Sequence, residues 1–170
     1  PLTRITNNPW DDIHPAISPD GTKIAYSSRQ NGYWDLYQLD LTTDEVTRLT
    51  DTPQYDGAPS WSPDGQYLAY ESYKQDNLDV YILNTANLSE APILLTDDKA
   101  SDYSPAWSPG GREIAFVSTR NGQQDIWIAR LDKTNDRFIN ISKSTEILDD
   151  HPAWSPDGKN LAWGANDSGS

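Results

Sequence analysis

Trp61-Ser62-Pro63-Asp64-Gly65 is a tight-turn sequence, and close copies of it stand at residues 17–21, 107–111 and 154–158. Proline sets φ for the first corner of such a turn. Aspartate can hydrogen-bond the local backbone at the second, and the closing glycine accepts a positive φ that other residues resist. In the third copy Gly110 replaces the aspartate, which keeps the geometry and loses the side-chain hydrogen bond. Each copy predicts a hairpin corner, so the chain reads as a repeat protein.

Two residues before each Trp or Ile stands a proline, Pro15, Pro59, Pro105 and Pro152, at intervals of 44, 46 and 47 residues. That period is close to the four-stranded blade of a β-propeller and too long for leucine-rich or ankyrin units. The second unit predicts an inner strand over 58–62, then strands over 67–72, 78–83 and 92–96, with no helical periodicity anywhere. The second strands read Ile24-Ala25-Tyr26, Leu68-Ala69-Tyr70, Ile114-Ala115-Phe116 and Leu161-Ala162-Trp163. They are apolar without alternation, which requires both faces to be covered, as when twisted sheets stack around an axis. The third strands start at Asp35, Asp79 and Asp125, and Arg29, Lys74 and Arg120 in the turns before them are their expected ion partners.

The expected fold is therefore all-β, an incomplete β-propeller of four-stranded antiparallel blades forming one fragment over 1–170. Residues 1–6 match the outer strand of a preceding blade, 7–50, 51–96 and 97–142 are full blades, and 143–170 is a half blade. Gly169 aligns with the hairpin glycines Gly32 and Gly122. The absence of methionine, even at position 1, and of a charged-then-apolar leader makes the chain read as an excised or processed piece. An incomplete ring leaves apolar sheet faces uncovered, so self-association is expected.

The 26 acidic side chains against 13 basic ones give a net charge of −13. Such a field repels nucleic acid and anionic membrane and favours basic protein surfaces or cations. No segment is apolar enough to span a membrane as a helix. Without cysteine there is no disulfide, no thiolate metal site and no cysteine nucleophile. The serines of the turns belong to no Gly-x-Ser-x-Gly elbow, so no hydrolase nucleophile is expected within the chain.

One acid keeps its place three residues before each repeat proline: Asp12, Asp56, Asp102 and Asp149. Rotational repetition places these near one mouth of the central channel, together with His14 and His151, which directly precede their prolines. Two readings are open. Converging carboxylates would form a binding site for a basic peptide or for a divalent cation such as calcium, and no cofactor is expected beyond that cation. Alternatively, each aspartate caps its own loop and never meets the others. A calcium titration followed by melting temperature separates the two.

Pro59-Ser60-Trp61-Ser62-Pro63-Asp64-Gly65, Leu68-Ala69-Tyr70, Ser118-Thr119-Arg120-Asn121-Gly122 and Asp125-Ile126-Trp127 together resemble the WD-like repeats of the TolB propeller family. Departures are Ile17 for tryptophan, Gly110 for aspartate and the incomplete fourth unit. The resemblance implies a non-catalytic repeat module for protein or peptide binding, in a periplasmic or extracellular setting. Similar repeats also serve as substrate-gating propellers of serine peptidases whose catalytic domain lies elsewhere, and as metal-dependent oligosaccharide lyases. These are the alternative readings of function. Trp10, Tyr33 and Tyr55 are the aromatic anchors a protein partner would use.

Overall fold

The computed structural model describes residues 4–74 and 76–167. The described residues form three four-stranded antiparallel sheets and one two-stranded sheet, each built from consecutive strands. Blade one comprises β1 (Asp12–Ile17), β2 (Lys23–Ser28), β3 (Asp35–Asp40) and β4 (Val46–Arg48). Blade two comprises β5 (Asp56–Trp61), β6 (Tyr67–Lys74), β7 (Asn77–Asn84) and β8 (Ile93–Leu94). Blade three comprises β9 (Asp102–Trp107), β10 (Glu113–Ser118), β11 (Asp125–Arg130) and β12 (Phe138–Asn140). β13 (Ile147–Trp154) and β14 (Leu161–Asp167) form the last sheet. β1, β5 and β9 begin at their aspartates and β13 two residues before Asp149, all earlier than the turn signal alone suggests. Arg4, Ile5 and Thr6 join no strand, and the rest of the 1–6 segment and Gly169 lie outside the described residues.

The repeated turn forms as its residues dictate. Gly21, Gly65, Gly111 and Gly158 have φ between 68° and 74°. In blade two the Gly65 amide donates to the Ser62 carbonyl at 2.9 Å. The serine contributes more than the turn signal indicates. The Ser62 hydroxyl donates to Asp64 at 2.5 Å and accepts from the Tyr67 amide at 2.9 Å, locking the corner to β6. In blade three the turn closes without an aspartate, because the Gly111 amide still reaches the Ser108 carbonyl at 2.9 Å.

Blades pack face to face through two apolar seams. Between blades one and two, Ala25, Leu36 and Leu49 meet Trp61, Leu68, Tyr70 and Leu83. Between blades two and three, Ala69, Val80, Ile82 and Leu95 meet Ile114 and Phe116, flanked by Trp107, Trp127 and Phe138. The small alanine of each second strand is fully buried in all three blades and leaves room for the neighbour's ring. Trp61 Nε1 donates across its seam to the Ala16 carbonyl at 3.0 Å, and Trp154 Nε1 does the same to Ala106 at 3.1 Å. Trp107 instead turns its indole to Gly111 of its own blade at 3.3 Å, and the seam is tied by its backbone amide, which donates to Ser60 Oγ at 2.9 Å. The turns stack as well, since a side chain at Gly111 would sit 3.2 Å from Pro63 of the preceding turn.

At position 17 isoleucine stands in place of tryptophan, and Ile17 is 64% exposed because no described blade covers that face. Trp61, by contrast, is 8% exposed. Trp61→Ala should therefore cost about 3–5 kcal/mol of stability in urea unfolding. Ile17→Ala should cost under about 1 kcal/mol.

Candidate functional site: the axial pocket

The inner strands β1, β5, β9 and β13 share one irregularity. Their pairing with the second strand shifts register between Ile13 and Ala16, between Gly57 and Ser60, opposite Ala115 to Val117, and between Asp150 and Ala153. The residue before each repeat proline lies at the shift, with φ of 51° at His14, 48° at Ala58, 50° at Ser104 and 53° at His151. None is glycine, so each costs of order 1–3 kcal/mol that the surrounding sheet must offset. Proline at the next position lacks the N–H that a regular ladder would require, which suits a bulge.

The four bulges meet. His14, Ala58, Ser104 and His151, with the prolines that follow them, line one cavity of about 380 Å³. Glu71 of β6 is the remaining lining residue and is 7% exposed. Its Oε1 accepts from the Tyr55 hydroxyl at 2.8 Å and its Oε2 from the Ser104 amide at 2.7 Å, the second bond crossing the seam to blade three. A Cβ at Gly57 would collide with the Tyr55 hydroxyl and ring, so glycine there is what lets Tyr55 reach Glu71. Burial first, and then the Glu71 charge, push the Tyr55 phenol well above its ordinary range. Tyr103 is pushed up to about 12 by burial, Asp150 and Glu71 in that order.

Of the six residues expected at the channel mouth, the structure brings His14 and His151 into this pocket. Both are exposed, and His151 Nδ1 lies 3.1 Å from Asp150 Oδ2. Asp12, Asp56, Asp102 and Asp149 do not line it, which corrects the expected ring of acids around the axis. The physical reason is local bonding: each has at least one carboxylate oxygen held by a nearby donor. Asp12 accepts from Asn8 at 2.7 Å, Asp56 from Thr52 at 2.9 Å, and Asp149 from Ser144 at 2.6 Å and from Trp163 at 3.1 Å. Asp102 pairs with Arg120 at 2.7 Å. Oδ1 of Asp12, Asp56 and Asp102 meets no donor among the described residues. No group of three or more His, Asp or Glu among the described residues is placed to hold a metal ion.

These acids belong instead to buried seams. Thr52 donates its amide to Asp35 of blade one at 3.2 Å and its hydroxyl to Asp56 of blade two. Ser144 repeats this between Asp125, at 3.0 Å, and Asp149. In the middle seam Asp98 occupies the corresponding place and its carboxylate cannot donate, so Arg120 supplies Asp102 from within blade three. The guanidinium also lies over the Trp127 ring, 4.7 Å from its centroid. The ion partners of the third-strand acids therefore differ from those expected. Asp35 pairs with Arg48 at 2.7 Å, Asp79 with the Thr96 hydroxyl at 3.1 Å, and Asp125 with Asn140 at 2.7 Å. Arg29 stacks over Trp34 and Lys74 over Tyr81.

Tyr55, Gly57 and Glu71 form a constellation that lies outside the positions the repeats share. Its signal was departure from the repeat: Ser27, Val117 and Gly164 hold the place of Glu71, and Ile13, Tyr103 and Asp150 that of Gly57. Of the aromatic anchors, Tyr33 is 54% exposed and Trp10 is 39% exposed, whereas Tyr55 is partly buried against Glu71.

The family description "TolB beta propeller domain" matches residues 58–170. Among solved structures, TolB from Acinetobacter baumannii aligns with a TM-score of 0.88 at 26% identity, over 98% of this chain and 40% of that one. A TolB structure from Agrobacterium tumefaciens aligns with a TM-score of 0.80 at 29% identity, over 92% of this chain and 55% of that one. The chain thus spans about half the length of these structures. An oligogalacturonate lyase from Vibrio parahaemolyticus shares the fold alone, at 13% identity and a TM-score of 0.60, over 98% of this chain and 63% of that one. A search of curated protein sequences finds no match.

Two outcomes follow from this geometry. Gly57→Ala should displace Tyr55 from Glu71 and cost about 1–3 kcal/mol, and Tyr55→Phe in that background should cost little more. Ultraviolet titration should then show one tyrosine ionising at lower pH. Burial holds the Asp56, Asp79 and Asp102 carboxyls above their ordinary value. A raised folded-state pKa contributes stability that is complete below the unfolded pKa and is lost as pH rises through the folded one. Asp79→Asn should therefore lose less stability than the wild type between about pH 4 and pH 7 in urea unfolding.

Proposed function

The chain belongs to the TolB β-propeller domain family, and from that premise we propose that it is a non-catalytic binding module whose axial pocket receives a segment of a partner protein. One observation carries the reading: four strained backbone positions from four separate strands converge on a single cavity. Strain of this kind is retained where a pre-formed recognition surface repays it. The pocket's lining is prolines, two imidazoles, small side chains and one carboxylate. That set suits recognition of an extended peptide, with rigid apolar walls and a few polar groups to fix orientation.

Exposed Trp10 and Tyr33 provide further contact area outside the pocket. A net charge of −13 favours a basic partner surface. A periplasmic or extracellular setting goes with this reading. The uncovered face of blade one, at Ile17, is where a further blade or a second copy would pack.

The test uses a displayed library of random peptides, selected on the immobilised chain and on Ser104→His. Histidine already occupies this backbone conformation at His14 and His151, so the substitution narrows the pocket within a geometry the fold accepts. Selected peptides should bind the wild type and lose roughly tenfold or more in affinity on Ser104→His. Peptides that bind both chains equally, or a selection that enriches none, would overturn the proposal.

A further inference from the structure

We propose that Glu71 makes the axial pocket selective for a cationic group, an ammonium or guanidinium carried by the bound segment. This rests on the reading of the pocket as a peptide site and adds the chemistry of what enters it.

The fold does not need a carboxylate at this position. Serine, valine and glycine hold the equivalent place in the other sheets, at Ser27, Val117 and Gly164, with the same strand pairing around them. Placing a carboxylate there is costly, because an ion withdrawn from water without a countercharge loses several kcal/mol of hydration. Among the described residues, no lysine, arginine or histidine forms an ion pair with Glu71. Arg48 and Arg120, which neutralise other buried acids, are committed to Asp35 and Asp102.

What surrounds Glu71 holds it in place without neutralising it. Tyr55 fixes one oxygen and the Ser104 amide the other, each with a single hydrogen bond. A carboxylate has about four acceptor sites, so two remain for a donor that arrives from the cavity. Gly57 exists to admit the Tyr55 ring, and it too departs from the repeat. Three departures in one blade thus build one oriented acceptor on the wall of the cavity. A guanidinium or ammonium supplies both missing elements, hydrogen-bond donors and a positive charge. The chain's net charge of −13 raises the local concentration of such groups before contact.

The experiment compares N-acetyl-arginine amide with N-acetyl-citrulline amide, a near-isostere without the charge. Amide proton–nitrogen spectra are followed in the wild type, Glu71→Gln and Glu71→Val. Glutamine keeps an acceptor for the Ser104 amide and a polar group for Tyr55; valine copies the residue that blade three carries at this place. In the wild type the arginine compound should shift the Ser104 amide resonance and bind roughly tenfold tighter than the citrulline compound. In both variants that preference should fall to about one. Equal binding of the two compounds to the wild type, no binding of either, or a preference undiminished in Glu71→Gln would overturn the proposal. The peptide selection separates the two claims. Peptides that depend on an open pocket but lack any cation requirement would leave the binding reading standing without this one, and a failed selection would remove the reading itself.

Discussion

Everything in this structure depends on one packing constraint: a blade cannot bury both of its faces alone. The second strands are apolar on both sides, and Leu68, Ala69 and Ile114 reach full burial where a neighbour covers them. The alanine at the centre of each such strand sets the spacing between sheets. A larger residue would force the blades apart, and the indole of Trp61 could no longer reach the Ala16 carbonyl. A polar seam at one edge then fixes the rotation between blades. Thr52 and Ser144 each bind an acid of both neighbouring blades, so a seam that slipped would leave buried carboxylates unpaired.

The axial pocket is a consequence of that regularity. Because the blades repeat their rotation, one bulge in each inner strand becomes a set of bulges facing a common axis. The prolines remove ladder donors that the bulge would otherwise strand, and the left-handed residues before them carry the side chains to the cavity. Regularity alone would give four equivalent walls. Blade two breaks the equivalence with Tyr55, Gly57 and Glu71, and the pocket acquires a polarity that no symmetric ring of repeats would have.

Much of the fold was legible in the sequence, since turn chemistry, strand order and double-sided burial all repeat with a fixed period. His14 and His151 hold equivalent places in the repeat, and both lie on the wall of one pocket. The acids were placed correctly along the strand and wrongly in direction. In a regular strand, residues two apart share a face, so Asp12 should accompany His14; the bulge at His14 cancels that relation. Ion partners were equally hard to read. Arginine is long enough to choose among several carboxylates, and Arg120 bonds Asp102 where Asp98 cannot make the donation that Thr52 and Ser144 make in the other seams. Glu71 carries no repeat signal, because the period marks what the repeats share while this part of the site lies in what one repeat does differently.

The central claim is that Glu71 is held in the pocket wall by a bond that crosses a blade seam. Native-state hydrogen exchange at the Ser104 amide tests it most directly, because that amide has the Glu71 carboxylate as its partner. The account predicts slow exchange in the wild type and fast exchange in Glu71→Val, with the Ala69 amide protected in both. Fast exchange at Ser104 in the wild type, beside a protected Ala69, would contradict it.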